Sequence, residues 1–405
     1  MTADAITLAV ADFLLSPRGR AAADALLPAD LSNEQTLSLL TTLRRDFSAA
    51  EAGALLALAR LRQRAHAKFP FAHQLFLTPE ALEQATAWPV AEHRAAWFDQ
   101  FTRPGLLLDL GCGIGGDTLA LAQRRPVLAF ESDPLRLRFA QANAAALGLA
   151  EQITFLQADW TTWLASGKLP PAAGAFADPG RRVAEKRVFS LHRMQPPLTT
   201  LLQLQQQIPA LGAKVMPSVQ DDELPPGCGV EFVSHAGVCK EAVLWFGALA
   251  QHQRWASVHT ETGWQSLVNS GVAPAMGPLQ PALFLHEPDP AVIRAGALPV
   301  LCDRLGAYLF DPQIAYLVAP TYRPDRLVQS FWVKEVHPFG LHLLNQRLLI
   351  LGIGQVELKK RGFPVEPESL RPRLKLAAGH APGVVIFTRK GDQRLMLIGE
   401  RIKKE

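Results

Sequence analysis

The feature that most constrains this chain is the run Leu106, Leu107, Leu108, Asp109, Leu110, Gly111, Cys112, Gly113, Ile114, Gly115, Gly116, Asp117, Thr118. A short apolar strand that ends in closely spaced glycines and then enters a helix predicts the first strand, turn and helix of an open parallel α/β sheet. Glycine permits positive φ and lets a bound group approach the backbone, while the amides at a helix start are unpaired and carry the positive end of its dipole. Such a turn is built to grip the polar end of a nucleotide-like molecule.

The turn alone leaves two ligands open, because Gly111, Gly113 and Gly116 satisfy the dinucleotide spacing G-x-G-x-x-G while the same bend suits the carboxylate end of S-adenosylmethionine. Glu131, 22 positions after Asp109, closes the next strand where a carboxylate accepts ribose hydroxyls; both ligands have them. Three acids favour the sulfonium compound. Asp109 would attract a cationic methionine end and repel a pyrophosphate. Asp159, after the third strand, would hold an adenine amine. Asp178 and Pro179 end the fourth strand, at the carboxyl edge where open α/β sheets place reacting groups. A strand-end Asp can instead simply cap the following turn.

The expected strands are Leu106 to Leu110, Val127 to Glu131, Ile153 to Gln157, Ala175 to Asp178 and Ala213 to Met216, with a closing hairpin from Val230 to Ser234 and Ala242 to Gly247. Before them, up to about Gln100, alanine and leucine at helical spacing predict helices broken near Pro28, Pro70 and Pro89, with Thr78 and Pro79 capping one that carries Glu80 to Ala87. Arg60, Arg62, Arg64 and Lys68 alternate rather than share a face, which predicts solvated helix surface. Glycines and prolines from Gly263 to Pro281 predict a connection to a final mixed α and β segment. The expected organisation is a helical region over 1–100, a cofactor-binding domain over 101–262 and a C-terminal domain over 282–405.

Composition narrows the function classes. With 48% hydrophobic and 19% charged residues the chain can bury a full core, and it has neither a basic leader nor an apolar run of membrane-spanning length; the cytoplasm is the expected location. Cys112, Cys228, Cys239 and Cys302 have no paired spacing, so neither a metal site nor a disulfide is expected. Net charge is +4, yet Thr321 to Glu405 carries 16 Lys and Arg against 8 Asp and Glu. A segment at +8 on a chain otherwise at −4 suits contact with a polyanion or is a solvated basic surface.

These residues resemble bacterial class I methyltransferases with a C-terminal THUMP-like domain. The resemblance rests on Leu61 to Phe69, Asp109 to Thr118, Ala177 to Arg182, Asp289 to Gly296, Asp311 to Leu317 and the run Gly352 to Gly362. The stretch Cys112 to Thr118 is also similar to the cofactor loop of trimethylguanosine synthases. The resemblance implies a Rossmann-like seven-stranded sheet, an α+β THUMP-like domain, and S-adenosylmethionine held by Asp109, Gly111, Cys112, Gly113, Gly115, Glu131 and Asp159. It also implies a catalytic role for Asp178 and Pro179, and RNA as partner.

An exocyclic base amine is a weak nucleophile, and acceptors aimed at its hydrogens assist attack on a methyl group; a strand-end Asp and a carbonyl beside proline can serve. Amine methyltransferases usually continue with proline and a stacking aromatic, whereas this chain has Gly180, Arg181 and Arg182. A guanidinium plane can stack on a base or pair with a phosphate, which makes Arg181 and Arg182 candidate substrate contacts. Lys359, Lys360 and Arg361, with Arg371, Arg373 and Lys375, are candidate phosphate contacts that would position RNA without reading it. Two other readings stay open: a non-catalytic RNA-binding or assembly protein that keeps the fold, and a methyltransferase acting on a small acidic or protein acceptor.

Overall fold

The computed structural model describes residues 6–179, 182–183, 186–187, 191 and 194–403. Its α-helices are α1 (Leu8–Leu15), α2 (Pro17–Ala25), α3 (Thr36–Leu43), α4 (Ala49–Ala65), α5 (Pro79–Gln84), α6 (Trp88–Phe101), α7 (Gly116–Ala122), α8 (Pro134–Ala146), α9 (Trp160–Ala165), α10 (Leu198–Gln207), α11 (Pro290–Arg294), α12 (Leu298–Leu305) and α13 (Leu341–Ile350). The strands are β1 (Leu107–Leu110), β2 (Val127–Glu131), β3 (Ile153–Gln157), β4 (Gly174–Ala177), the short ribbon β5 (Arg182–Val183) and β6 (Lys186–Arg187), β7 (Leu211–Val215), β8 (Gly229–His235), β9 (Val238–Trp245), β10 (Arg254–Thr260) and β11 (Gly263–Val268). A second set comprises β12 (Leu283–Pro288), β13 (Tyr308–Leu309), β14 (Leu317–Ala319), β15 (Val328–Pro338), β16 (Gln355–Lys360), β17 (Pro382–Lys390) and β18 (Gln393–Arg401).

The first sheet runs β11-β10-β8-β9-β7-β4-β1-β2-β3. Strands β7, β4, β1, β2 and β3 are parallel, and β1, β2 and β4 are buried along their whole length, as strands covered on both faces must be. Ala236 and Gly237, both at positive φ, make the two-residue turn between β8 and β9, which is the expected hairpin. The seven expected strands are all present, and β10 and β11 extend the sheet to nine. Strand β11 occupies the first part of the stretch read as a connection: Gly263, at φ 106, turns the chain, and Trp264 to Val268 then pairs antiparallel with β10.

Several helices start as their sequences dictate, with a capping oxygen followed by proline: Ser16 with Pro17, Thr78 with Pro79, Asp133 with Pro134 and Asp289 with Pro290. The expected break near Pro89 falls between α5 and α6, with Pro89 in the first turn of α6, and α5 ends at Gln84 rather than at the expected Ala87. In the basic group on and after α4, Arg64 is exposed as read, whereas Arg62 and Lys68 correct the solvated reading. Arg62 is 2% exposed, bonding Asp24 at 2.9 Å and the Leu75 carbonyl at 3.0 Å. Lys68 Nζ donates to the carbonyls of Leu82, Glu83 and Ala85 at 2.7 to 2.9 Å, closing the C-terminal end of α5.

The second sheet runs β13-β14-β12-β15-β18-β17-β16. Alternate residues of β17 enter two apolar clusters, Val384 and Ile386 in one, Val385 and Phe387 in the other, so both faces are buried. The chain divides into two compact units, residues 1–229 with 243–251, and residues 230–242 with 252–405. Among the described residues no helix is long and apolar enough to cross a membrane, and no group of three or more His, Cys, Asp and Glu could hold a metal.

Candidate active site

The glycine turn adopts the backbone that only glycine tolerates without strain, with φ of 101° at Gly111, 57° at Gly113 and 94° at Gly115. The amides of Gly111 and Cys112 both donate to the Phe130 carbonyl, at 3.0 and 2.9 Å, which ties the turn to β2. A side chain added at Gly113 would meet nothing within 4 Å, so the face of the turn at Gly113 is open. Cys112 is buried, and burial first, then Asp109 and Glu131, hold its thiol well above the ordinary range. Its place in the turn reflects small size, and reactivity is suppressed.

Asp109, 1% exposed, accepts from the Thr118 hydroxyl through Oδ2. Burial pushes its carboxyl from an ordinary 3.8 up to about 6; the Thr118 hydrogen bond opposes this, and the neighbouring Asp178 adds to it. So deep a carboxylate acts on a ligand through its field rather than by contact. Glu131 Oε2 accepts from the Gly113 amide at 2.8 Å and Oε1 from the Asp133 amide at 2.9 Å. It therefore braces the turn; the Ser132 hydroxyl also lies 3.5 Å from Oε1, while Oε2 keeps a lone pair for a further donor. Asp159 is exposed and caps α9, its Oδ1 accepting from the Thr161 amide at 2.9 Å and hydroxyl at 2.7 Å.

Asp178 follows β4 beside the glycine turn, and a side chain at Gly111 would lie 3.5 Å from its carbonyl oxygen. Its Oδ2 accepts from Lys214 Nζ at 2.7 Å; the lysine side chain is 4% exposed and the aspartate side chain 27%. Lys214 Nζ also donates to Thr86 Oγ1 at 3.1 Å, Thr86 donates to Asp117 Oδ2 at 2.8 Å, and Arg94 pairs with the other oxygen of Asp117. Buried Asn143 donates to the carbonyls of Ile114 and Phe76 and accepts from the Phe76 amide at 2.7 Å. None of Thr86, Arg94, Asn143 or Lys214 was marked by the sequence reading, and Asp117 stood only as part of the glycine run; a lysine inside the otherwise apolar run of β7 was the available signal.

In this region Asp109, Asp117, Glu131 and Asp178 outnumber the buried cations Arg94 and Lys214. An excess of carboxylate beside an open glycine face fits a ligand bearing a sulfonium and an ammonium, and opposes a pyrophosphate.

The cationic residues divide sharply. Arg181 and the side chain of Arg182 lie outside the described residues. Lys359 Nζ is 2.5 Å from Glu287 Oε2, Lys360 pairs with Glu366, and Arg361 lies 3.5 Å from Glu287 and over the Tyr316 ring at 5.0 Å. Each therefore already has an acid partner that a phosphate would have to share or displace. Arg371 pairs with Glu368 at 2.5 Å, whereas Arg373 and Lys375 are exposed and make no ion pair among the described residues.

Comparison with known proteins supplies independent findings. Residues 105–209 match the family described as RNA cap guanine-N2 methyltransferase, residues 328–401 match the THUMP domain-like family, and residues 7–65 match a domain family of unknown function. The chain is 33% identical over 327 residues to a Mycobacterium tuberculosis protein named as an uncharacterized S-adenosylmethionine-dependent methyltransferase, covering 78% of this chain and 86% of that protein. It is 32% identical over 84 residues to a Schizosaccharomyces pombe trimethylguanosine synthase, covering 20% of this chain and 32% of that protein. A Porphyromonas gingivalis crystal structure assigned as a methyltransferase superposes with a TM-score of 0.72 at 18% identity, covering 92% of this chain and 99% of that one, which is a likeness of fold.

Proposed function

We propose that this chain, which belongs to the S-adenosylmethionine-dependent methyltransferases, transfers a methyl group to an exocyclic nucleobase amine of RNA. The observation that carries the acceptor is Asp178, a partly exposed carboxylate at the end of β4 with one oxygen fixed by a buried lysine. The guanine-N2 methyltransferase match over 105–209 and the THUMP domain-like match over 328–401 support the same acceptor and polymer.

When bound, S-adenosylmethionine supplies an activated methyl group, so the chain's task is mostly placement. Glu131 would receive a ribose hydroxyl on Oε2, the open face at Gly113 would receive the amino acid end, and Asp159 would receive the adenine amine. Asp109 would favour the cationic end by its charge. Asp178 and the Pro179 carbonyl would accept the hydrogens of the acceptor amine and turn its lone pair away from ring conjugation.

The test is methyl transfer from labelled S-adenosylmethionine into RNA from cells that lack the gene, read as modified nucleosides by mass spectrometry. An N-methylated purine that appears only with the intact protein is the expected result. Label entering protein or a small acid, and no RNA nucleoside, would overturn the acceptor assignment and favour the alternative methyltransferase reading.

A further inference from the structure

We infer that Lys214 is a positioning residue of the methyl transfer, locking the carboxylate of Asp178 toward the acceptor; this rests on the reading of Asp178 given above. Lys214 sits on β7 among Leu211, Gly212, Ala213 and Val215, and is only 5% exposed. An ammonium taken out of water is costly unless it is paired and hydrogen-bonded, and an apolar residue of similar size would pack there without that cost. What Lys214 contributes in return is geometry at the end of β4.

The interactions form a closed circuit. From Asp178 it passes through Lys214 at 2.7 Å, Thr86 at 3.1 Å and Asp117 at 2.8 Å to Arg94. The Arg94 guanidinium lies 4.0 Å from the centre of the Phe176 ring, which returns the circuit to β4 two residues before Asp178. The Thr86 hydroxyl accepts from Lys214 and donates to Asp117, so both of its roles are used. With Oδ2 held, rotation of the Asp178 carboxylate is opposed, and its second oxygen, which accepts no hydrogen bond among the described residues, is placed to take an acceptor N–H. Thr86 and Arg94 precede residue 105, where the guanine-N2 methyltransferase match begins, so the segment before the sheet takes part in aligning the reacting end.

The experiment compares the full-length parent with Lys214→Met, Lys214→Arg and Asp178→Asn, reading kcat on gene-deficient RNA, S-adenosylhomocysteine affinity by calorimetry, and the crystal structure of Lys214→Met. Lys214→Met is expected to lower kcat roughly 100-fold while shifting S-adenosylhomocysteine affinity by less than about 3-fold, the signature of lost alignment. Lys214→Arg, which keeps a charged donor, should recover to within about 10-fold of the parent. In the Lys214→Met crystal the Asp178 carboxylate should have turned. An unmoved carboxylate there overturns the inference even if no RNA is methylated by any variant. Lost turnover in Asp178→Asn with full turnover in Lys214→Met overturns the role of Lys214 alone, whereas full turnover in Asp178→Asn removes the reading of Asp178 itself. Should Lys214→Met fail to fold, Thr86→Val is measured in the same way. A fall in kcat of about 10-fold at unchanged S-adenosylhomocysteine affinity supports the inference, and an unchanged kcat overturns it.

Discussion

Replacing Asp109 with asparagine should make the folded protein more stable near pH 8 and impair its use of the methyl donor. In the parent the carboxyl protonates at about 6 rather than 3.8, because burial disfavours its charge. The folded state therefore binds more protons than the unfolded chain between those values, and stability falls as pH rises through that window. A displacement of about two units corresponds to on the order of 3 kcal/mol, lost in full above the upper value and regained below about pH 4. Asparagine has no charge to bury and still offers Thr118 a carbonyl oxygen. Urea unfolding of parent and variant at pH 8, 6 and 4.5 measures the difference, which should be largest at pH 8 and shrink steadily toward pH 4.5. A difference independent of pH, or a variant weakest relative to the parent at pH 8, would refute the reasoning. Because Asp109 acts through charge, the variant should also lose more affinity for S-adenosylmethionine than for S-adenosylhomocysteine, which lacks the sulfonium; calorimetry with both compounds checks this.

Glu131→Ala removes acceptors for both the Gly113 and Asp133 amides, and is expected to weaken S-adenosylhomocysteine binding by at least about 10-fold while Asp178→Ala leaves that affinity nearly intact. Asn143→Ala leaves the buried amide of Phe76 and the carbonyls of Phe76 and Ile114 without this partner, so destabilisation of about 2 to 4 kcal/mol is expected in urea unfolding. For RNA, replacing both Arg373 and Lys375 with alanine should flatten the plot of log affinity against log salt by about 1.4, at roughly 0.7 for each single-strand phosphate contact. Lys359→Ala should leave that slope unchanged and lower stability instead, because its charge is already matched by Glu287.

The sheet was legible because its strands are contiguous apolar runs. Val127 to Glu131 and Ile153 to Gln157 stand where the sequence put them; most others differ by a residue or two at their ends, and the second hairpin strand starts four residues earlier, at Val238. The glycine turn was legible through its chemistry, since positive φ at three alternate positions admits little else. What remained hidden depends on partners distant in the chain. Arg62 meets Asp24 and Lys68 meets the end of α5, so their local spacing suggested solvent where the fold supplies acceptors. Lys214 was hidden for the same reason, being explained by Asp178, 36 positions earlier, and Thr86, 128 positions earlier. For the lysines and arginine after Leu358 a run of positive charge was visible, but the acids Glu287 and Glu366 paired with it were not.

The division of the chain at residues 229, 242 and 251 means that the polypeptide passes between its two compact units three times. No single protease cut can release both as intact pieces, and a gene split at any one point leaves at least one fragment short of a strand or carrying part of the other unit. Ribosomal emergence has the same consequence: the first unit lacks residues 243–251 until after the second has begun. Its last strand residues are thus delivered late, which couples completion of the first unit to synthesis of chain beyond it.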